Sequence, residues 1–111
     1  MWSVDMFRQG DVLVVPIARE ELPEGLMDAP RDRRNRMVLA LGEATGHAHV
    51  LTGERASMLC PPDEPGRLYL LIEGYGRLAH EEHGPIALAP GAYKVVRQRE
   101  YFPGAIRPVA D

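Results

Sequence analysis

At 111 residues, 45% of them hydrophobic, the chain has room for one domain with a core that needs no disulfides. Its net charge of −3 gives no electrostatic reason to expect nucleic acid as the main partner. No apolar run approaches the roughly 20 residues that span a bilayer, so no membrane partner is expected.

Met1 to Asp5 lacks the charged-then-apolar pattern of a signal peptide, and residues 1–6 read as a frayed extension. The lone Cys60 cannot form an internal disulfide, which fits a reducing, cytoplasmic setting. It sits in the apolar stretch Ser57-Met58-Leu59-Cys60 with no histidine nearby in sequence, so it reads as a small core residue rather than a nucleophile.

Eleven glycines and ten prolines are spread along the chain and cut it into short pieces, the pattern of many short strands joined by turns. Gly10-Asp11 leads into the β-branched run Val12-Leu13-Val14-Val15-Pro16-Ile17, the clearest early strand. Pro16 cannot donate to a ladder and places the end of that strand at a sheet edge. Residues 18–36 form a long loop with at most one helical turn over Ala18 to Pro23. Its end carries four arginines in six residues, Arg31 to Arg36, read as a solvated turn or as an anion contact.

Met37 to Glu43 alternates large Met37, Leu39 and Leu41 with smaller residues and reads as a strand. His47 to Thr52 and Arg55 to Cys60 read as two further strands. Leu68 to Ile72, apolar throughout, reads as a central strand buried on both sides. Gly74-Tyr75-Gly76 reads as a tight turn into Arg77 to His80. Ile86 to Leu88 and Tyr93 to Phe102 complete the set. The expectation is an all-β single domain over residues 1–111, a small barrel or sandwich of about eight short antiparallel strands.

The histidines carry the functional signal. All four fall in two pairs, His47/His49 and His80/His83. At i, i+2 on a strand both imidazoles of the first pair project from one face, shared with Leu51. His80 shares a face with Leu78, and a turn through Glu81 and Glu82 would fold His83 back toward it. Imidazoles in an apolar interior need partners, and one metal ion would satisfy both pairs. Neutral imidazole suits zinc, iron, copper and nickel, and carboxylates extend the choice to manganese. The other readings are histidines hydrogen-bonded to backbone or carboxylate, and a metal-free proton-transfer or anion site.

His47-x-His49 followed by Glu54, with Gly42 upstream, resembles the first metal motif of the cupin superfamily. That resemblance implies a β-barrel whose divalent ion is held by His47, His49 and Glu54. The fourth cupin ligand is a histidine after a later Pro-x-Gly turn. Here Pro90-Gly91 leads into Tyr93-Lys94-Val95-Val96-Arg97 instead, so the fourth ligand falls to His80 or His83.

The stretches Gln9-Gly10-Asp11-Val12, Gly42 to His49, His80 to Ile86 and Arg97 to Tyr101 give the whole chain a resemblance to small uncharacterised bacterial and phage-associated proteins. No activity comes with it.

On the last strand Tyr93, Val95, Arg97, Arg99 and Tyr101 share a face. It is either a solvated face with cross-strand ion pairs or a wall of a polar cavity, and in the latter case Arg97 and Arg99 are the candidates to hold an anion. Two functions compete: a small metal-binding β-barrel, a metalloenzyme on a small molecule if one coordination position stays open, and a non-enzymatic binding or assembly module with structural histidines. Short strands with loose edges fit a homo-oligomer under either.

Overall fold

The β-branched run at Val12 to Ile17 forms strand β2 (Val12–Ile17), and it organises the sheet around it. The computed structural model describes residues 6–41, 48–80 and 83–97. Ahead of β2 runs β1 (Phe7–Gln9), joined to it by the two-residue turn Gly10-Asp11. Three residues are too few to show a period, which is why β1 is not legible as a strand in the sequence. After β2 come a single 3-10 turn at Arg19–Glu21 and the two-residue β3 (Met27–Asp28), within what reads as loop. Then follow β4 (Met37–Leu41), β5 (Ala48–Cys60), β6 (Tyr69–Ala79), β7 (Ile86–Leu88) and β8 (Gly91–Arg97).

All eight strands join one antiparallel sheet in the order β1-β2-β8-β6-β5-β3, with β4 added on β5 and β7 on β6. The all-β, antiparallel, eight-strand expectation is met. The closed barrel is not: the sheet curls but stays open, with no ladder between β1 and β6. Pro16 pairs with Tyr93 on β8, while β1 already ends its pairing at Val14, so the proline sits where β2 has a ladder on one side only.

Two expectations about the middle of the chain are corrected. His47 to Thr52 and Arg55 to Cys60 are not separate strands: β5 runs through both from Ala48. Gly74-Tyr75-Gly76 is not a turn but the middle of β6. The reason is a shared bend. A bulge falls between Glu54 and Ala56, with Arg55 at φ +49, in the middle of the β5–β6 ladder. Gly53, at φ +147, meets Gly76 there, and a Cβ on Gly53 would stand 2.1 Å from the Tyr75 carbonyl oxygen. Glycine therefore bends the strands without breaking them.

The core lies on the concave face, where Val12, Val14, Leu39, Leu51, Leu70, Ile72, Leu78 and Leu88 are essentially inaccessible. Leu70 and Ile72 are buried but Tyr69 and Leu71 are only half-buried, so the start of β6 is covered fully on one face and not on two. Cys60 is a buried free thiol, as its apolar surroundings lead one to expect. Among the described residues no helix is long and apolar enough to cross a membrane.

The arginine-rich turn is organised by one carboxylate. Asp32 accepts from the backbone N–H groups of Arg34 and Arg36 at 3.0 and 2.7 Å and from Arg36 Nε at 2.7 Å. Those donors, the Arg36 backbone foremost, hold the Asp32 carboxyl below its usual range. The turn is solvated, as one of the two readings has it, and folded on itself.

Candidate functional site: the imidazole cluster at the seam of the sheet

The open seam between β1 and β6 is spanned by a side chain. Gln9, at 1% exposure, donates from its amide nitrogen to the carbonyls of Leu78 at 3.0 Å and Gly84 at 2.9 Å. Register explains its burial: Gln9 pairs with Val12 and Phe7 with Val14, so Gln9 shares the inward face of the two core valines. Its amide oxygen then faces Nδ1 of His49 at 2.9 Å.

This geometry decides a tautomer. Both amide hydrogens of Gln9 belong to carbonyls, so its oxygen must be the atom facing His49, and only a protonated Nδ1 can donate to it. Neutral His49 thus has its acceptor at Nε2. That atom points toward Asp11, with Oδ1 3.9 Å away. Asp11 belongs to the β1–β2 turn, so the residues that hold and face His49 come from one hairpin.

The other two described histidines close around it. Ring centroids are 4.2 Å apart for His49 and His80, 4.7 Å for His80 and His83, and 6.4 Å for His49 and His83. His83 folds back over His80 as the sequence predicts, its backbone N–H donating to His80 Nδ1 at 3.2 Å. His80 in that arrangement accepts at Nδ1 and, when neutral, carries its proton on Nε2. The ring of His83 rests against Gly10: a Cβ there would lie 2.9 Å from His83 Nε2 and 3.4 Å from His49 Cε1. Gly10 itself stands at φ +62.

The sequence-predicted residues are divided by the fold. His49, His80 and His83 are brought together, from β5, the end of β6 and the turn after it. His49 lies on the inner face with Leu51, as alternation predicts. Glu54 is not brought to them. It sits exposed at the β5 bend opposite Tyr75, five residues or roughly 16 Å along the strand from His49. His47, Glu81, Glu82 and Arg99 lie outside the described residues. Among the described residues no three His, Cys, Asp or Glu side chains already form a group that could hold a metal ion.

Sequence reasoning assigned no role to Gln9 and Asp11. The available signal was a polar residue at an inward position immediately before a Gly-Asp turn, and it is visible only once β1 is known to be a strand.

A search of the curated proteins gave no match, and neither did a search of the solved structures. One family model matches residues 8–98, a span that contains Gln9, Gly10, Asp11 and the three clustered histidines. The chain therefore belongs to the family described as a domain of unknown function, DUF8820.

Proposed function

We propose that the cluster binds a divalent transition-metal ion through His49 Nε2 and the Asp11 carboxylate. The observation that carries this is the orientation of His49. A metal-bound imidazole characteristically donates its other N–H to a fixed acceptor, and Gln9 is that acceptor here. The neutral ring then turns its acceptor atom toward a carboxylate, an arrangement that a cation between the two favours. Two donors bonded at roughly 2.1 Å to one ion stand at most about 4.2 Å apart, and the 3.9 Å separation lies within that reach. His83, exposed and resting on Gly10, would supply a third ligand by turning its ring, and His47 a fourth. His80, with Nε2–H outward, suits the role of a hydrogen-bond donor beside the ion. Zinc, iron, nickel, copper and manganese all suit nitrogen and carboxylate ligands. A ligand position left open would let a small molecule reach the ion.

The test uses untagged protein. Bound metal per chain is measured for the parent, Asp11→Asn, His83→Ala and His49→Gln. Near-stoichiometric metal, reduced in each variant, is the expected result. No bound metal, together with a melting temperature unchanged by added zinc or manganese, would overturn the proposal.

A second reading has its own support. The Gln9–His49 contact ties three parts of the sheet together without any ion, as it would in a non-enzymatic module, phage-related or otherwise, with structural histidines. In that case His49→Gln lowers stability by the same amount with and without metal.

A further inference from the structure

Beside the start of β6 the surface opens into a cleft of about 540 Å³, between the turn ahead of that strand and the end of β8. Its charge is opposite to that of the chain. Among the described residues Arg67, Lys94 and Arg97 line it and Glu64 is the one carboxylate, a net +2 from these four on a protein of net −3.

Each cation is placed differently. Arg67 Nη1 stands 3.4 Å from Glu64 Oε1, which accounts for that carboxylate. Arg97 donates from Nη2 to the Gly66 carbonyl, so its guanidinium is held at the rim. Among the described residues the Lys94 side chain forms no ion pair or hydrogen bond, and it is the only lysine in the chain. Register puts it opposite Tyr69, so the ammonium rises from the sheet beside an aromatic ring. Val95 and Val96 add apolar wall.

We propose that this cleft binds a small organic anion, its phosphate or carboxylate group between Lys94 and Arg67 and its body against Tyr69 and Val96. The volume falls within the range of small-molecule pockets, roughly 300–1,000 Å³. Arginine supplies a planar fork suited to oxyanions, and lysine a point charge. Arg97, one of the two arginines the sequence marks for an anion, stands three residues from Lys94 and so faces the other way, bracing the rim at Gly66 rather than holding the anion. The site is independent of any ion at the imidazole cluster.

The test is a titration of the full chain, followed by amide NMR at fixed ionic strength, with inorganic phosphate, pyrophosphate and citrate as separate probes. Saturable shifts concentrated at Gly66, Arg67 and Lys94 to Arg97 are expected. Lys94→Gln should weaken the best probe at least tenfold, while Lys94→Arg keeps most of the binding. Arg33→Gln removes the same charge outside the cleft and should change nothing. Tighter pyrophosphate than citrate assigns the site to phosphate esters, and the reverse to polycarboxylates. Shifts that do not saturate, that spread over all the arginines, or that respond equally to Lys94→Gln and Arg33→Gln would overturn the proposal.

Discussion

Gln9 Oε1 on β1 and His49 Nδ1 on β5 lie 2.9 Å apart at the seam of the sheet, and both side chains are almost wholly buried. Gln9→Leu keeps the volume and removes the amide. It takes the donor from the buried Leu78 carbonyl and the part-buried Gly84 carbonyl and the acceptor from a buried imidazole N–H, and each unmet buried group costs roughly 1–3 kcal/mol. Chemical denaturation should show a destabilisation of about 2 kcal/mol or more. Long-range proton–nitrogen spectra should show His49 protonated at Nδ1 in the parent and a mixture of tautomers in the variant. A parent already mixed would remove the basis for assigning Nε2 as the outward atom.

Gly10→Ala tests the turn. The left-handed φ costs alanine about 1–2 kcal/mol, and its methyl carbon would press on His83 Nε2. Unfolding stability should fall by about that amount, and His83 should lose its place on the turn. Unchanged histidine ring shifts in the variant would mean that His83 does not rest there.

Gly53→Ala should be the most damaging glycine-to-alanine change among the described glycines. The added carbon meets a backbone oxygen at 2.1 Å, which cannot move aside as a side chain does. A loss of roughly 3 kcal/mol or more is expected from denaturant titration. A loss under about 1 kcal/mol would show that the β5–β6 ladder tolerates separation at Gly53.

Asp32 provides a pH signature. Its carboxyl ionises more readily in the fold than in the unfolded chain, where 3.8 is usual. Its contribution is therefore present above about pH 4 and is lost as pH falls through the lowered folded value. Asp32→Asn should flatten that part of the acid limb, and amide exchange of Asn35 and Arg36 should accelerate. An acid limb identical to the parent's would count against the carboxylate as organiser of the turn.

Tyr93 acts at the other end of the scale. Its buried hydroxyl donates to the Ala89 carbonyl at 2.6 Å, and burial raises its ionisation above the usual 10.0. The stability it confers is complete below pH 10 and falls as pH rises through the raised value. Tyr93→Phe should lose about 1 kcal/mol at neutral pH and show a shallower alkaline decline. An equally steep decline would place the sensitivity elsewhere.

Much of the fold is legible because its strands are either long apolar runs or clear alternations. Val12 to Ile17 and Ile86 to Leu88 are read to the residue. The errors fall where a local signal has two meanings. Gly74-Tyr75-Gly76 carries turn residues, yet its glycines serve a close strand pairing whose other half, Gly53, lies on the preceding strand. Barrel closure depends on whether the three-residue β1 meets the end of β6, which no pattern in either one reveals. The histidines were visible by spacing, and the fold brings three of them together. Gln9 and Asp11 were not, because a residue's inward position means nothing until its strand is known.

The gap in the sheet gives the cluster a mechanical consequence. A closed barrel would carry its histidines on walls fixed by ladders, so a ligand could come and go without stress on the frame. Here the wall beside His49 is latched by one glutamine amide to two carbonyls of another strand and its turn. Prying β1 away would unfasten the latch and release His49 in the same event. Whatever binds at His49 therefore also acts as a lock on the hairpin, and the occupancy of the site and the opening of the sheet become one equilibrium.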